Sequence, residues 1–261
     1  MPFFLLDGQA VFFAHAPKCA GTAVRYYLEE RFGHPAFDDQ LFREHLKRPT
    51  WTRSTPQHLL TSDMRLLFPP GFFDHVFGMV RHPVARIVSA YRWSVLHRFT
   101  PRSVSLEQWY DQGQRLMRHG FRAYDNHLAR LVDVIPEEAT VFRVEDGLDQ
   151  LVGYLDEISG SVSDVRSIRR RNGTPPTEDV PRTTLAPRLF QRIQEDYAAD
   201  FERFGYEPGD TEEYSVPAAE RSNAGEIVKA AKRSAVIEAL ILGQRTGQRL
   251  RRYTHWHLIA P

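Results

Sequence analysis

An apolar run that breaks at a short loop and resumes with helical spacing constrains the fold more than any other stretch of this chain. Residues 11–14 (VFFA) are typical of a short buried strand, and residues 17–21 (PKCAG) interrupt the run. Apolar side chains return on one helical face between residues 22 and 32. A strand, a tight loop and a helix in succession predict an α/β fold with a central parallel sheet flanked by helices.

The loop between this strand and helix carries groups that bind phosphate. A helix start gathers backbone N–H groups without partners and the positive end of the helix dipole. Lys18 adds an ammonium group and Thr22 a hydroxyl. A plain turn with a surface lysine is the alternative interpretation. An ordinary ATP or GTP site is disfavoured, because a Walker A loop places its glycine before the lysine, whereas Lys18 precedes Gly21.

A second junction of the same kind follows in residues 76–93 (VFGMVRHPVARIVSAYRW). Its apolar run predicts a strand that ends at Arg81, and Pro83 is typical of the first turn of a helix. Two strand ends that can each bind phosphate are harder to explain as ordinary turns than one.

Together the two junctions resemble the sulfotransferases that use 3′-phosphoadenosine-5′-phosphosulfate, particularly the carbohydrate branch of that family. The family's 5′-phosphosulfate loop is similar to PKxxGT after a strand, and its 3′-phosphate motif is similar to RxPxxRxxSxY. The matching residues are Pro17, Lys18, Gly21 and Thr22 in the first motif and Arg81, Pro83, Arg86, Ser89 and Tyr91 in the second. The resemblance covers roughly residues 9–208, including VFRVED at 141–146 and EDYAADFERFGY at 195–206, and is thin in the middle.

The resemblance implies a P-loop NTPase-like fold and transfer of a sulfuryl group from that donor, leaving adenosine 3′,5′-bisphosphate. Lys18 would act in catalysis. The implied donor-binding residues are Pro17, Lys18, Cys19, Ala20, Gly21, Thr22, Ala23, Arg81, Ser89, Arg171 and Gly173. The last two belong to a basic loop, residues 168–176 (IRRRNGTPP), for which a solvated surface loop is the alternative. The carbohydrate branch implies a glycan or glycolipid hydroxyl as acceptor.

A histidine is expected to take the proton of the acceptor. Residues 33–70 are irregular, and such segments lie over the strand ends where ligands bind in α/β folds. His58 best matches the position at which the resembling family places its base, and its residue type titrates at a pKa of about 6.5. Other candidates are His15, then His34, His45 and His82.

Hydrophobic spacing predicts the remaining elements. The predicted helices are 105–118, 121–132, 148–158 and 190–204, with a further one beginning at Thr61 or Ser62, and residues 141–144 form a predicted parallel strand. Trp109, Leu116, Tyr124 and Leu128 are expected in the core. Glu145 and Asp146, after the strand, are interpreted as structural.

Charge is unevenly distributed along the chain. The net charge of +1 disfavours a general nucleic-acid binder. Residues 221–261 hold eight Lys or Arg and two Glu, a net charge of +6, so residues 1–220 sum to −5. We therefore expect an α/β domain at 1–208 and, at 209–261, a linker with a basic amphipathic helix at 223–242. That helix would dock on its own domain, form a homodimer or contact an anionic membrane surface.

A cytoplasmic, metal-free enzyme is expected. The single cysteine, Cys19, cannot form an internal disulfide and is interpreted as a packing residue. Residues 1–8 are apolar, but the stretch is very short, lacks a basic n-region and meets Asp7 and Gly8 at once, so neither a signal peptide nor an anchor is expected. The His and acidic residues lack the sequence spacing of metal ligands.

Two other functions are alternatives. A P-loop kinase would need Mg²⁺ ligands and a glycine-first loop, neither of which the sequence clearly supplies. A non-catalytic module that binds a nucleotide or a glycan would bind the donor without turnover.

Overall fold

The computed structural model describes residues 3–38, 54–169 and 182–220. Its strands are β1 (Phe3–Leu6), β2 (Gln9–Ala14), β3 (His75–Val80), β4 (Thr140–Arg143), β5 (Arg182–Thr184) and β6 (Ser215–Pro217). Its α-helices are α1 (Gly21–Phe32), α2 (Thr61–Leu67), α3 (Pro83–Leu96), α4 (Leu106–Arg118), α5 (Leu131–Val134), α6 (Gln150–Ser159), α7 (Pro187–Asp196) and α8 (Ala198–Phe204). Arg171, Gly173, His45 and the predicted helix 223–242 lie outside the described residues.

The main sheet has the order β1-β2-β3-β4, and β2, β3 and β4 run parallel as predicted. Ala14 pairs with Gly78, and Val80 pairs with Arg143, so the carboxyl ends of the three strands meet at one edge. The edge strand β1 is antiparallel and was not predicted. Its hairpin turn uses positive φ angles at Asp7 (49°) and Gly8 (85°).

Buried side chains form two clusters. One packs the sheet against α1 and α6, and the other joins α3, α4, α7 and α8. The predicted core residues Trp109, Leu116, Tyr124 and Leu128 are all at most 2% exposed and belong to the second cluster. The β2–α1 and β3–α3 junctions therefore stand at the sheet edge above a packed interior.

The predicted helix 121–132 is wrong. Tyr124, Asp125 and Asn126 have left-handed φ angles of 51°, 57° and 62°, which a right-handed helix cannot accommodate. Tertiary contacts override the helical spacing, because the Tyr124 ring stacks on Trp109 at 4.6 Å and its hydroxyl donates to the Trp109 carbonyl at 3.0 Å. Only the short helix α5 remains of the predicted element.

The predicted helix 190–204 is two helices, α7 and α8, which meet at Tyr197. Tyr197 leaves helical geometry (φ −112°, ψ 20°), and its hydroxyl donates to the carbonyl of Leu128 at 2.5 Å. The apolar stripe nevertheless continues, since Ile193, Phe201 and Phe204 are all buried. Gly205 ends the second helix, as predicted.

Part of the predicted linker packs on the α/β domain. β6 pairs with β5, and its Val216 is buried in the second cluster. Within the three described ranges, no helix combines the length and the apolar character needed to cross a membrane.

Candidate active site

The loop after β2 has the backbone geometry of an anion site. Lys18 and Ala20 have left-handed φ angles of 67° and 59°, a type of turn found in backbone nests that bind anions. Helix α1 begins directly afterwards at Gly21, so its first N–H groups and its positive dipole end face the same loop. Pro17 and Cys19 are buried, whereas Thr22 is half-buried in the first turn of the helix.

Gly21 allows a close approach between this loop and His15. A Cβ atom at position 21 would lie 1.9 Å from two atoms of the His15 ring. His15 is buried, and its Nδ1 has no hydrogen-bond partner among the described residues. Burial, with a smaller effect from the neighbouring imidazole of His58, holds the pKa of His15 well below its usual value. His15 is therefore a poor proton acceptor.

Lys18 lies partly removed from water beside a second cation. Its Nζ lies 5.3 Å from the centre of the Trp93 ring, within range of a cation–π contact. Burial, and then the charge of Arg81, lower the pKa of Lys18 to about 8. The ammonium group thus remains largely charged at neutral pH, although it is poorly hydrated and open to an anionic partner.

Arg81 connects the two predicted phosphate loops. Its Nη1 donates to the backbone carbonyl of Lys18 at 3.5 Å, and its side chain is half-buried. Ser89 is half-buried in α3, the helix that begins just after Arg81. The structure therefore brings the two motifs to one place, at the carboxyl edge of the sheet.

The surroundings of Cys19 and Arg86 suit structural roles. Burial raises the pKa of the Cys19 thiol to about 12, which keeps it protonated and suits a packing residue. Arg86 is fully buried and donates to the carbonyls of His127 and Ala129 at 3.1 and 2.6 Å. Although Arg86 belongs to the same motif as Arg81, it holds the chain segment that follows the left-handed turn.

His58 ends a short 3-10 turn, Pro56–His58, and is paired with a carboxylate. Its Nδ1 lies 2.9 Å from Oδ2 of Asp125, and both side chains are buried. Thr55 donates from its backbone N–H to Oδ1 (2.6 Å) and from its hydroxyl to Oδ2 (2.7 Å) of the same carboxylate. Burial alone would raise the pKa of Asp125, but the charge and hydrogen bond of His58 outweigh burial and hold it far below its usual range.

His127 links His58 to Lys18. Its ring meets the His58 ring edge-on at 5.1 Å and stacks on Trp93 at 5.3 Å, the same ring that Lys18 covers. Burial, and then the neighbouring His58, lower the pKa of His127 well below its usual value. Lys18, Trp93, His127 and His58 thus form one continuous cluster.

The other described histidines are less suited to act as the base. His82 donates from Nε2 to the carbonyl of Glu207 at 2.8 Å and accepts at Nδ1 from the Tyr214 hydroxyl at 3.0 Å, so both nitrogens serve the structure. Its backbone N–H donates to Glu145 at 2.9 Å, a contact in keeping with a structural role for that carboxylate. His34 is 89% exposed and follows the C-terminal end of α1, whereas the phosphate loop precedes the N-terminal end of that helix.

Sequence reasoning missed Asp125 and His127. Ligand atoms of His58, Asp125 and His127 lie within 4.8 Å of one another, a group that could hold a metal ion although no sequence spacing indicates it. Since 67 residues separate His58 from Asp125, only the fold shows their proximity. The available signal was the polar run Asp125, Asn126, His127 within an apolar stretch, of which Asp and Asn tolerate left-handed geometry. The absence of a metal remains a prediction.

A family model described as "Sulfotransferase family" matches residues 1–207 of the chain. This match spans both phosphate loops, His58 and the turn that carries Asp125. Neither the curated proteins nor the solved structures contain a match to the chain.

Proposed function

The chain belongs to the sulfotransferase family and is an enzyme of sulfuryl transfer, and on that premise we propose that its donor is 3′-phosphoadenosine-5′-phosphosulfate and its acceptor a carbohydrate or glycolipid hydroxyl. The observation that carries the proposal is the contact between Arg81 and the Lys18 loop. Two cationic groups at one sheet edge suit a nucleotide that bears phosphate on both its 3′ and 5′ sides.

The donor is bound from the phosphate loop outward. Pro17–Ala23 surround the 5′-phosphosulfate, with Lys18 and the first amides of α1 as donors to its oxygens. Arg81 and Ser89 bind the 3′-phosphate, together with Arg171 and Gly173 of the basic loop. A cleft of about 190 Å³ between α1 and residues 165–169 is lined by Ala23, Tyr26 and Arg169, among others, and is adjacent to the loop. This cleft is our candidate site for the adenine.

The reaction follows from charge. The acceptor oxygen forms a bond to sulfur while the bond from sulfur to the phosphate oxygen breaks, and the electron pair leaves with that oxygen. Lys18 neutralises the negative charge that develops there. His58 accepts the acceptor's proton at Nε2, because its Nδ1 is occupied by Asp125. As in phosphoryl transfer, positioning and electrostatic stabilisation supply most of the rate.

The family match removes the support for a kinase or a non-catalytic module. A cytoplasmic location and a role of the C-terminal helix in dimerisation or membrane contact remain predictions. Trp93 and its neighbours His97 and Phe99, whose rings lie 4.6 and 5.3 Å from it, offer aromatic surface to a sugar.

Two measurements test the proposal. Calorimetry should show one adenosine 3′,5′-bisphosphate bound per chain and much weaker binding of ADP, which lacks the 3′-phosphate. Incubation with ³⁵S-labelled donor should then label glycans or glycolipids from a cell extract. Equal affinity for the two nucleotides would overturn the donor assignment, and labelling confined to phenols or amines would overturn the acceptor assignment.

A further inference from the structure

We propose that Asp125 is a positioning residue for the base His58, and that the left-handed turn at residues 124–126 exists to hold it there. This inference rests on the proposed function for the role of His58.

The hydrogen bonds around Asp125 fix the tautomer of His58. Both carboxylate oxygens already accept from Thr55, and Oδ2 also faces Nδ1 of His58 at 2.9 Å. An unprotonated Nδ1 would set two lone pairs against each other, so the proton of a neutral imidazole must lie on Nδ1. Nε2 is then the unprotonated nitrogen, which is the form needed to accept a proton from a hydroxyl.

The same turn also fixes the backbone of His58. The side-chain amide of Asn126 donates to the His58 carbonyl at 2.7 Å, and the Ser54 hydroxyl donates to the same oxygen at 3.2 Å. Adjacent residues of one turn thus hold both the ring and the main chain of the base. A base held in this way keeps its orientation when the acceptor binds.

The turn adopts an unfavourable backbone in order to present these groups. Three successive non-glycine residues, Tyr124, Asp125 and Asn126, are left-handed. Such conformations persist only when their surroundings enforce them, and they cluster at functional sites. The enforcing contacts on the following residues come from three buried side chains. Arg86 donates to the carbonyls of His127 and Ala129. Tyr197 donates to the carbonyl of Leu128. Asp200 accepts from the N–H groups of Leu131 and Val132.

Asp125→Asn is the most direct test. An amide is isosteric with the carboxylate and can still accept from Thr55, but its NH₂ group would face Nδ1 as a donor. The imidazole should therefore switch to the tautomer with the proton on Nε2, which ¹⁵N chemical shifts distinguish, with His58→Asn used to assign the signals. We expect turnover to fall on the order of 10²- to 10⁴-fold, the usual contribution of a general base, while adenosine 3′,5′-bisphosphate affinity stays within twofold.

Asp133→Asn is the matched control, because Asp133 is a partly exposed carboxylate paired with Arg130 at 2.9 Å. It should leave both tautomer and turnover unchanged. In a His58→Asn background, Asp125→Asn should cause no further loss of turnover, whereas a purely structural carboxylate would give additive losses. Additive losses, or a tautomer that does not switch, would overturn the inference.

The unmodified protein supplies a measurement that needs no folded variant of Asp125. When the ring is neutral, its His58 should carry the proton on Nδ1, and a neutral ring with its proton on Nε2 would overturn the inference outright. If no acceptor becomes labelled by the wild-type enzyme while the tautomer is as expected, the proposed function fails and the geometric role of Asp125 stands.

Discussion

Nη1 of Arg81 lies 3.5 Å from the backbone carbonyl oxygen of Lys18, so the loops that follow β2 and β3 contact each other directly. These loops are 63 residues apart in the chain. The parallel register of β2 and β3 brings them together, because it aligns the carboxyl ends of both strands. A nucleotide held by one loop is therefore within reach of the other.

Replacement of Arg81 should weaken nucleotide binding. Arg81→Ala removes a charge-assisted contact to the 3′-phosphate, and we expect roughly a 10- to 100-fold loss of affinity for adenosine 3′,5′-bisphosphate in calorimetry. Arg65→Ala is a suitable control, since Arg65 is largely exposed on α2. Unchanged affinity of Arg81→Ala would contradict the pocket assignment.

Nucleotide affinity should decline as the pH rises through about 8, the pKa to which burial and Arg81 lower Lys18. Below that pH the ammonium is protonated and attracts the phosphate, and above it the charge is lost. The phosphates themselves are fully ionised above about pH 7. Lys18→Arg keeps its charge throughout this range, so calorimetry between pH 7 and 9.5 should show the decline in the wild type and not in the variant. A decline of equal size in both would assign it to another group.

Arg86 should behave differently from Arg81, although both belong to one motif. Arg86→Met leaves the carbonyls of His127 and Ala129 without their buried donor. We expect a loss of about 2–4 kcal/mol in the free energy of unfolding, measured by urea denaturation. Turnover should also fall, because the loss of these hydrogen bonds displaces the turn at residues 124–126, which carries Asp125. A stable variant that had lost only nucleotide affinity would instead place Arg86 at the phosphate.

The sequence predicted local features of this site well and distant ones poorly. The strand–loop–helix units around Lys18 and Arg81 are encoded by neighbouring residues, and the structure has both. His58 could be proposed as the base only because its position resembles that of the family's base. The residues near it in the chain do not indicate its carboxylate partner. Asp125 lies in a segment whose hydrophobic spacing predicts a helix. Stacking of Tyr124 on Trp109 overrides that spacing. Contacts of this kind are set by tertiary packing, which periodicity does not report.

A side chain introduced at position 21 should clash with His15, and removal of the His15 ring should relieve that clash. Gly21→Ala places a Cβ 1.9 Å from the His15 ring, so the loop or the ring must move, and we expect a cost of about 1–3 kcal/mol in stability. His15→Ala removes the ring. The double variant should therefore lose less free energy of unfolding than the two single variants lose together. A double-mutant cycle by chemical denaturation measures this coupling. Strict additivity would mean that Gly21 is needed for another reason, such as phosphate approach.

Mild acid should destabilise the protein through its buried histidines. Burial, together with His58, holds the pKa values of His15 and His127 well below 6.5 in the folded state. Below pH 6.5 the unfolded chain therefore binds more protons than the folded one, and stability falls as the pH falls. Each such histidine contributes a slope of up to about 1.4 kcal/mol per pH unit. Asp125, whose folded pKa is depressed, begins to add to the loss only when the pH approaches about 4.

Urea denaturation between pH 7.5 and 5.5 should show the decline, and His15→Gln should reduce its slope by one histidine's share. An equal slope in wild type and His15→Gln would show that His15 is not held neutral by the fold.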